Sequence, residues 1–276
     1  MKPIDLIGYS CGAGAKIKEC SKGPEYLYKF GISDKLKNAT WHHIPKDSKE
    51  SVLESCKLLY LQVTKSLKSK KFPVTLGGDH SMAIATWSAV TDYYKATESF
   101  GLIWIDAHMD AHTQETSHSG AVHGMPLSYL LGYGNDEISK ICDITKINPK
   151  HLCLIAIRSY EPEEKAFLDL LGVKIFYMQD INKRGIDSVI DEAVNIVTNK
   201  TKGFGLSIDL DGIDPSIAPG TGSTEADGLT KDQVKIILQK TLHKSELKCL
   251  EIAEYNPDLD ENDITAKLIL EILNHL

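Results

Sequence analysis

The chain has 276 residues, 42% of them hydrophobic and 25% charged, and a net charge of −7 at neutral pH. That composition belongs to a globular protein with a sizeable core, and the length suits one α/β domain spanning residues 1–276. The basic residues are scattered lysines, with arginine only at Arg158 and Arg184, which argues against nucleic acid as a partner.

In chain order, the N-terminal segment Met1-Lys2-Pro3-Ile4-Asp5-Leu6-Ile7 carries no apolar leader core, and no apolar run approaches a membrane span. A cytoplasmic protein with no membrane partner is therefore expected. Short apolar runs predict strands at Ile4–Gly8, Thr40–Ile44, Val74–Leu76, Leu102–Ile105, Leu152–Ile157, Lys174–Tyr177, Gly205–Ile208 and Cys249–Ala253. Amphipathic stretches predict helices at Glu50–Ser69, Ser81–Lys95, Pro126–Leu131, Pro162–Leu171, Ile186–Asn199, Thr230–Leu242 and Asp263–His275. Strands separated by helices imply βαβ crossovers and a parallel sheet. A run such as Leu152-Cys-Leu-Ile-Ala-Ile157 fits burial on both faces. The expected fold class is α/β, a three-layer sandwich of a mostly parallel, eight-stranded sheet flanked by helices. Three long loops, 8–23, 111–124 and 212–228, follow predicted strands, where open α/β sheets bind ligands. Six cysteines, at 11, 20, 56, 142, 153 and 249, form no CxxC pair and read as reduced, buried thiols. Cys11 and Cys20, both in the Gly-rich loop, leave a functional thiol as the lesser alternative.

Two segments carry the chemistry. Asp106-Ala-His108-Met-Asp110 follows the strand-like run 101–105, and Asp209-Leu-Asp211 follows 204–208. Side chains at i, i+2 and i+4 share a face if the extended geometry continues. Four carboxylates and an imidazole gathered in a small volume repel one another unless cations neutralise them. A site for two divalent ions follows. Upstream, Gly77-Gly78-Asp79-His80-Ser81 turns tightly after a strand and puts His80 at the same sheet edge. Asp214, before Pro215, adds a third acid to the second segment or simply initiates a turn.

These motifs, together with Ser119-Gly-Ala-Val-His123-Gly-Met-Pro126 and Ser207-Ile-Asp-Leu-Asp-Gly-Ile-Asp-Pro215, stand in an order and spacing that resembles the ureohydrolases, and among them arginases most closely. The resemblance runs from Gly8 to Glu254-Tyr-Asn-Pro257. It implies a binuclear manganese site with two Mn2+ per chain. One ion would take His80, Asp106, Asp110 and Asp209; the other would take His108, Asp106, Asp209 and Asp211, with Asp106 and Asp209 bridging. Imidazoles among hard carboxylates, without thiolate, suit Mn2+ better than structural zinc, although ligand type alone leaves iron, cobalt and zinc open.

The resemblance also implies a reaction. Asp110 would carry a proton to the leaving amine, His123 would shuttle protons, and Glu254 would orient a guanidinium, with Ser223 hydrogen-bonding nearby. For the far end of the substrate it implies His112, Ser117, Ser119, Glu161 and Glu164, although His112 and Ala121 stand where arginases usually have Asn, and Glu161 where they usually have Asp. The implied activity is hydrolysis of L-arginine to L-ornithine and urea, by a homo-oligomer, trimer or hexamer. Agmatine or another small guanidino substrate is the alternative, and a non-catalytic metal-binding homologue is disfavoured because the ligand set is complete. A binuclear phosphohydrolase is set aside, since no Arg or Lys lies within the motif loops.

Overall fold

The computed structural model describes residues 3–44, 51–94, 99–142 and 145–276. Eight strands, β1 (Ile4–Tyr9), β2 (Ala39–Ile44), β3 (Phe72–Leu76), β4 (Gly101–Ile105), β5 (Leu152–Ile157), β6 (Lys174–Tyr177), β7 (Phe204–Asp209) and β8 (Leu247–Ala253), form one sheet in the order β2-β1-β3-β8-β7-β4-β5-β6. Every neighbouring pair is parallel, so the sheet is all-parallel rather than mostly so.

Ten helices are described: α1 (Gly23–Lys29), α2 (Ile32–Lys35), α3 (Val52–Lys68), α4 (Met82–Tyr93), α5 (Pro126–Leu130), α6 (Pro162–Leu171), α7 (Met178–Arg184), α8 (Ile186–Thr198), α9 (Lys231–Thr241) and α10 (Ile264–Leu273). The period-2 alternation of the strands sorts their side chains into two cores. Ile103, Ile105, Leu206, Ile208, Leu250 and Ile252 pack under α1, α2 and α7–α10. Leu102, Trp104, Leu152, Leu154, Cys249 and Ala253 pack under α3–α6. The close fit of sheet and helix is plain at Gly205, where a Cβ would lie 2.0 Å from the Trp87 ring of α4. No helix among the described residues is long and apolar enough to cross a membrane.

All seven expected helices are present within a residue or two, apart from Glu50 and Lys95, which lie outside the described residues. The short α1, α2 and α7 were not anticipated. Segments this short display little of a 3.6-residue period, and unlike the equally short α5, which opens at Pro126, α2 and α7 have no proline at their start to mark them; tertiary packing supplies their stability. β3 begins at Phe72, ahead of Pro73. Phe72 N–H donates to Pro3 O on the β1 side, whereas pairing with β8 starts only at Val74. The missing proline N–H therefore faces a side with no ladder to break.

The chain order places β3, β8, β7 and β4 side by side at the centre of the sheet. Their C-terminal ends lead into His80, Glu254, Asp209 and Asp106 respectively.

Candidate active site at the centre of the sheet

Beyond β3 the backbone reverses through Gly77 and Gly78, each at φ +73°. A Cβ on Gly78 would lie 2.3 Å from the Tyr9 carbonyl oxygen, so only glycine fits. Asp79 then anchors the Gly-rich loop: one carboxylate oxygen accepts Gly14 N–H at 2.8 Å, and the other accepts Ser81 N–H at 3.0 Å and the Ser81 hydroxyl. Burial, and then the charge of Glu254, push the Asp79 carboxyl up to about 6.

Beyond β4 and β7 the extended geometry stops. Asp110 adopts φ +48°, and Leu210–Gly212 forms a 3₁₀ turn. The carboxylates converge as expected, and they divide into the two groups the resemblance implies, except for Asp209. His80, Asp106, Asp110 and Asp209 form one; Asp106, His108 and Asp211 form the other. In the first, His80 Nδ1 lies 2.9 Å from Asp209 Oδ2, 3.2 Å from Asp110 Oδ2 and 3.3 Å from Asp106 Oδ2. In the second, His108 Nδ1 lies 3.1 Å from Asp211 Oδ2 and 3.5 Å from Asp106 Oδ1. Asp106 is common to both. Asp209 stands in the first group only, its Oδ1 accepting Asp211 N–H at 3.0 Å. Asp214 joins neither; its carboxylate accepts Ser216 and Gly228 N–H groups, the turn reading of the Asp-Pro pair.

The electrostatics favour cations. Burial, followed by repulsion from neighbouring aspartates, raises the Asp110 and Asp209 carboxyls, and the same causes push Asp211 up to about 7. Burial alone would lower His80 and His108, yet the surrounding carboxylates outweigh it and hold both imidazoles well above their usual range. Burial also acts to raise Asp106, but hydrogen bonding to His108 and His80 holds it low. His80 Nδ1 is fully buried and makes no hydrogen bond, although three carboxylates surround it. An orphaned imidazole nitrogen among hard oxygen donors fits a divalent cation.

Both groups open onto a cleft of about 330 Å³ lined by His108, Asp110, Asp209, Asp211, His123 and Glu254 on the metal side. Glu254, at φ +65°, accepts His80 N–H at 2.8 Å and faces His123 Nδ1 at 3.1 Å through the same oxygen. Burial lowers the His123 imidazole, but Glu254 more than compensates and raises it to about 9.

The Arginase family pattern matches residues 9–276. The arginase of Bacillus caldovelox is 34% identical over 296 residues, covering 100% of this chain and 98% of its own. The crystal structure of Bacillus subtilis arginase superposes with a TM-score of 0.93 at 32% identity, covering 100% and 98% of the two chains. That of Entamoeba histolytica arginase in complex with L-ornithine gives 0.92 at 27% identity, with the same coverage. The chain belongs to the arginase family. It is accordingly a hydrolase acting on amidines, in a metal-dependent family.

The far wall of this arginase-family cleft gathers the remaining expected residues. His112, Ser117, Ser119, Glu161, Glu164 and Ser223 all line it. Ser117 and Ser119 hydroxyls accept Gly120 and Ala121 N–H groups, which holds the 111–124 loop in shape. Ser223 is exposed and makes no hydrogen bond to Glu254 among the described residues. Two cations escaped the sequence reading. Lys16, from the Gly-rich loop, stands on the cleft wall. Arg158 donates to the carbonyls of Asp211, Glu225 and Ala226, stapling the 212–228 loop behind the site. All six cysteines are buried and free, and burial raises both Cys11 and Cys20, in keeping with reduced, buried thiols.

A buried relay also escaped it. Glu251 on β8 is fully buried and accepts from Trp87 Nε1 at 3.0 Å and from the Ser207 hydroxyl at 2.8 Å. With its proton directed to Glu251, Ser207 Oγ accepts from His80 Nε2 at 3.0 Å. With Nε2 serving as the donor, Nδ1 faces the first group, where a bound cation would take its lone pair. Trp104 adds to this by stacking on the His80 ring at 4.0 Å and donating to Asp106 at 2.9 Å. Replacing Ser207 with Ala is expected to weaken divalent-ion binding at the His80 group by about 10–100-fold and spare the His108 group. Calorimetric titration of the metal-free protein reads this, and equal weakening of both sites would exclude the orienting role.

Proposed function

We propose that the protein is a binuclear manganese amidinohydrolase that hydrolyses L-arginine to L-ornithine and urea. The observation that carries this reading is the pair of carboxylate–imidazole groups sharing Asp106, at the base of a cleft that also holds the His123–Glu254 pair. His80, Asp106, Asp110 and Asp209 would hold one ion, and His108, Asp106 and Asp211, joined by Asp209, the other. When bound, the ions supply Lewis acidity and a water ionised near neutral pH.

The chain's own groups do the rest. Glu254, fixed by His80 N–H, presents its carboxylate to a guanidinium and aligns the central carbon for attack. Asp110, at the edge of the first group, would take a proton from the attacking water and pass it to the nitrogen that departs as the carbon–nitrogen bond breaks. His123, protonated when raised to about 9, resupplies protons from the open side of the cleft. The far wall suits an amino-acid end: Glu161 for an ammonium, and Ser117, Ser119 and Lys16 for a carboxylate. Agmatine has no carboxylate to use those groups, and the similar Entamoeba protein was solved with L-ornithine.

Urea release by the manganese-loaded protein, with L-arginine and agmatine side by side, tests the proposal. Turnover of arginine with little or none of agmatine is expected. Preference for agmatine would move the substrate assignment, and turnover of neither would overturn it.

A further inference from the structure

The far wall is built on one imidazole and two carboxylates, and hydrogen bonding within that trio decides which acceptor is left for a ligand. His112 is 9% exposed. Thr113 N–H donates to Thr116 Oγ1 at 2.9 Å, leaving the Thr116 hydroxyl proton for His112 Nδ1 at 3.1 Å; the competing acceptor, Thr113 O, is farther at 3.4 Å. The His112 proton then resides on Nε2, which donates to Glu161 Oε2 at 3.2 Å, with Glu164 Oε2 at 3.5 Å. No charge on the ring is required.

The two carboxylates are not equivalent. Glu164 is 3% exposed, and both its oxygens are engaged by backbone: Oε1 accepts Ala111 N–H at 3.0 Å and Oε2 accepts Glu161 N–H at 3.1 Å. Together with Glu161 it forms the reciprocal cap of α6. Glu161 is the arm open to a ligand, its side chain 56% exposed, and His112 holds one of its oxygens. A cationic amine arriving at this wall meets an acceptor that already has a donor.

We propose that His112 sets the selectivity of this cleft by competing with a ligand's ammonium for the Glu161 carboxylate. Guanidino acids bearing an α-amine therefore gain less from that amine than an uncontested Glu161 would provide. The inference rests on the amidinohydrolase reading above, and it makes His112 a determinant of selectivity between amino and desamino guanidino acids.

The test compares kcat/KM for L-arginine and for 5-guanidinopentanoate, which differ only in the α-amine. The ratio of the two is measured in the unaltered chain, His112→Asn, Glu161→Gln and the double variant. His112→Asn should raise the ratio about tenfold, the effect of one hydrogen bond. Glu161→Gln should lower it towards unity, and on that background His112→Asn should have no further effect. A role in packing alone would change both substrates equally and leave the ratio where it was, which overturns the proposal. A fall in the ratio for His112→Asn also overturns it, because His112 would then be the amine's own acceptor. Should His112→Asn fail to fold, Glu161→Gln decides alone, and an unchanged ratio there refutes the competition. If neither compound is turned over, the amidinohydrolase reading fails separately. Calorimetric affinities for L-ornithine and 5-aminopentanoate then supply the same ratio in the same variants.

Discussion

Asp106→Asn is expected to leave at most one manganese ion per chain after dialysis and to cut urea release by about 10³-fold or more. The reason is geometric. Asp106 is the carboxylate common to both groups, with Oδ2 facing His80 and Oδ1 facing His108. An amide keeps the shape but loses the charge, and its NH2 would oppose the Trp104 Nε1–H or His108 N–H donor that one carboxylate oxygen now accepts. Loss of a metal's contribution to transition-state charge amounts to several kcal/mol, and about 1.4 kcal/mol is a decade in rate. Asp211→Ala makes the contrast. Asp211 belongs to the second group alone, so one ion should be weakened and the His80 ion retained. Elemental analysis of the dialysed variants reads both outcomes. Two tightly held ions in either variant would refute the assignment of that residue.

His123→Asn should act differently, keeping two ions and the fold while lowering kcat by about 10²–10⁴-fold, the range of a lost acid–base group. His123 belongs to neither metal group, and its link to the site is the 3.1 Å contact with Glu254. The pH profile carries the sign. Glu254 raises the imidazole to about 9 against the effect of burial, so at neutral pH the ring is protonated and acts as a donor. Activity that needs this proton falls as pH rises through the imidazole's pKa, and bound cations nearby would pull that pKa below 9. An alkaline limb at or below about pH 9 is therefore expected in the unaltered chain and absent in His123→Asn. Survival of the limb in the variant would assign the proton to another group, and unchanged turnover would remove the role altogether.

Much of the site was legible because its side chains sit at strand ends, where a short apolar run followed by acids is conspicuous. His80, Asp106, His108, Asp110, Asp209 and Asp211 all lie in the two groups. Their division was legible only through the family resemblance, which also put Asp209 in the second group, where the structure does not place it. It depends on φ +48° at Asp110 and on the 3₁₀ turn after Asp209, and neither follows from a period-2 pattern. Glu251 was detectable in principle: an acid inside the apolar strand Leu247–Ala253 requires a partner. Its partner Ser207 lies on β7, 44 positions away in sequence, and only the pairing of β7 with β8 brings them together. Glu164 carried a signal too, since acids three residues apart at a helix start can cap it. It lines the cleft as expected, and its oxygens also accept Ala111 and Glu161 N–H groups, which the sequence did not show.

By itself, then, the sequence determined the alternation of strands and helices, the parallel sheet this implies, and which acids and imidazoles gather in the two carboxylate–imidazole groups. Each follows from periodicity or from charges placed just past an apolar run, which are properties of neighbouring residues. Tertiary structure alone decided that the four site-bearing strands lie adjacent, that Asp209 stands in the first group only, that Glu251 reaches His80 through Ser207, and that His112 holds Glu161. The side-chain contacts among these join residues separated by 44 to 127 positions, as in Ser207–Glu251 and His80–Ser207. They come into being only when the crossovers between strands have been laid down, because local propensity contains no information about which distant segment a side chain will meet.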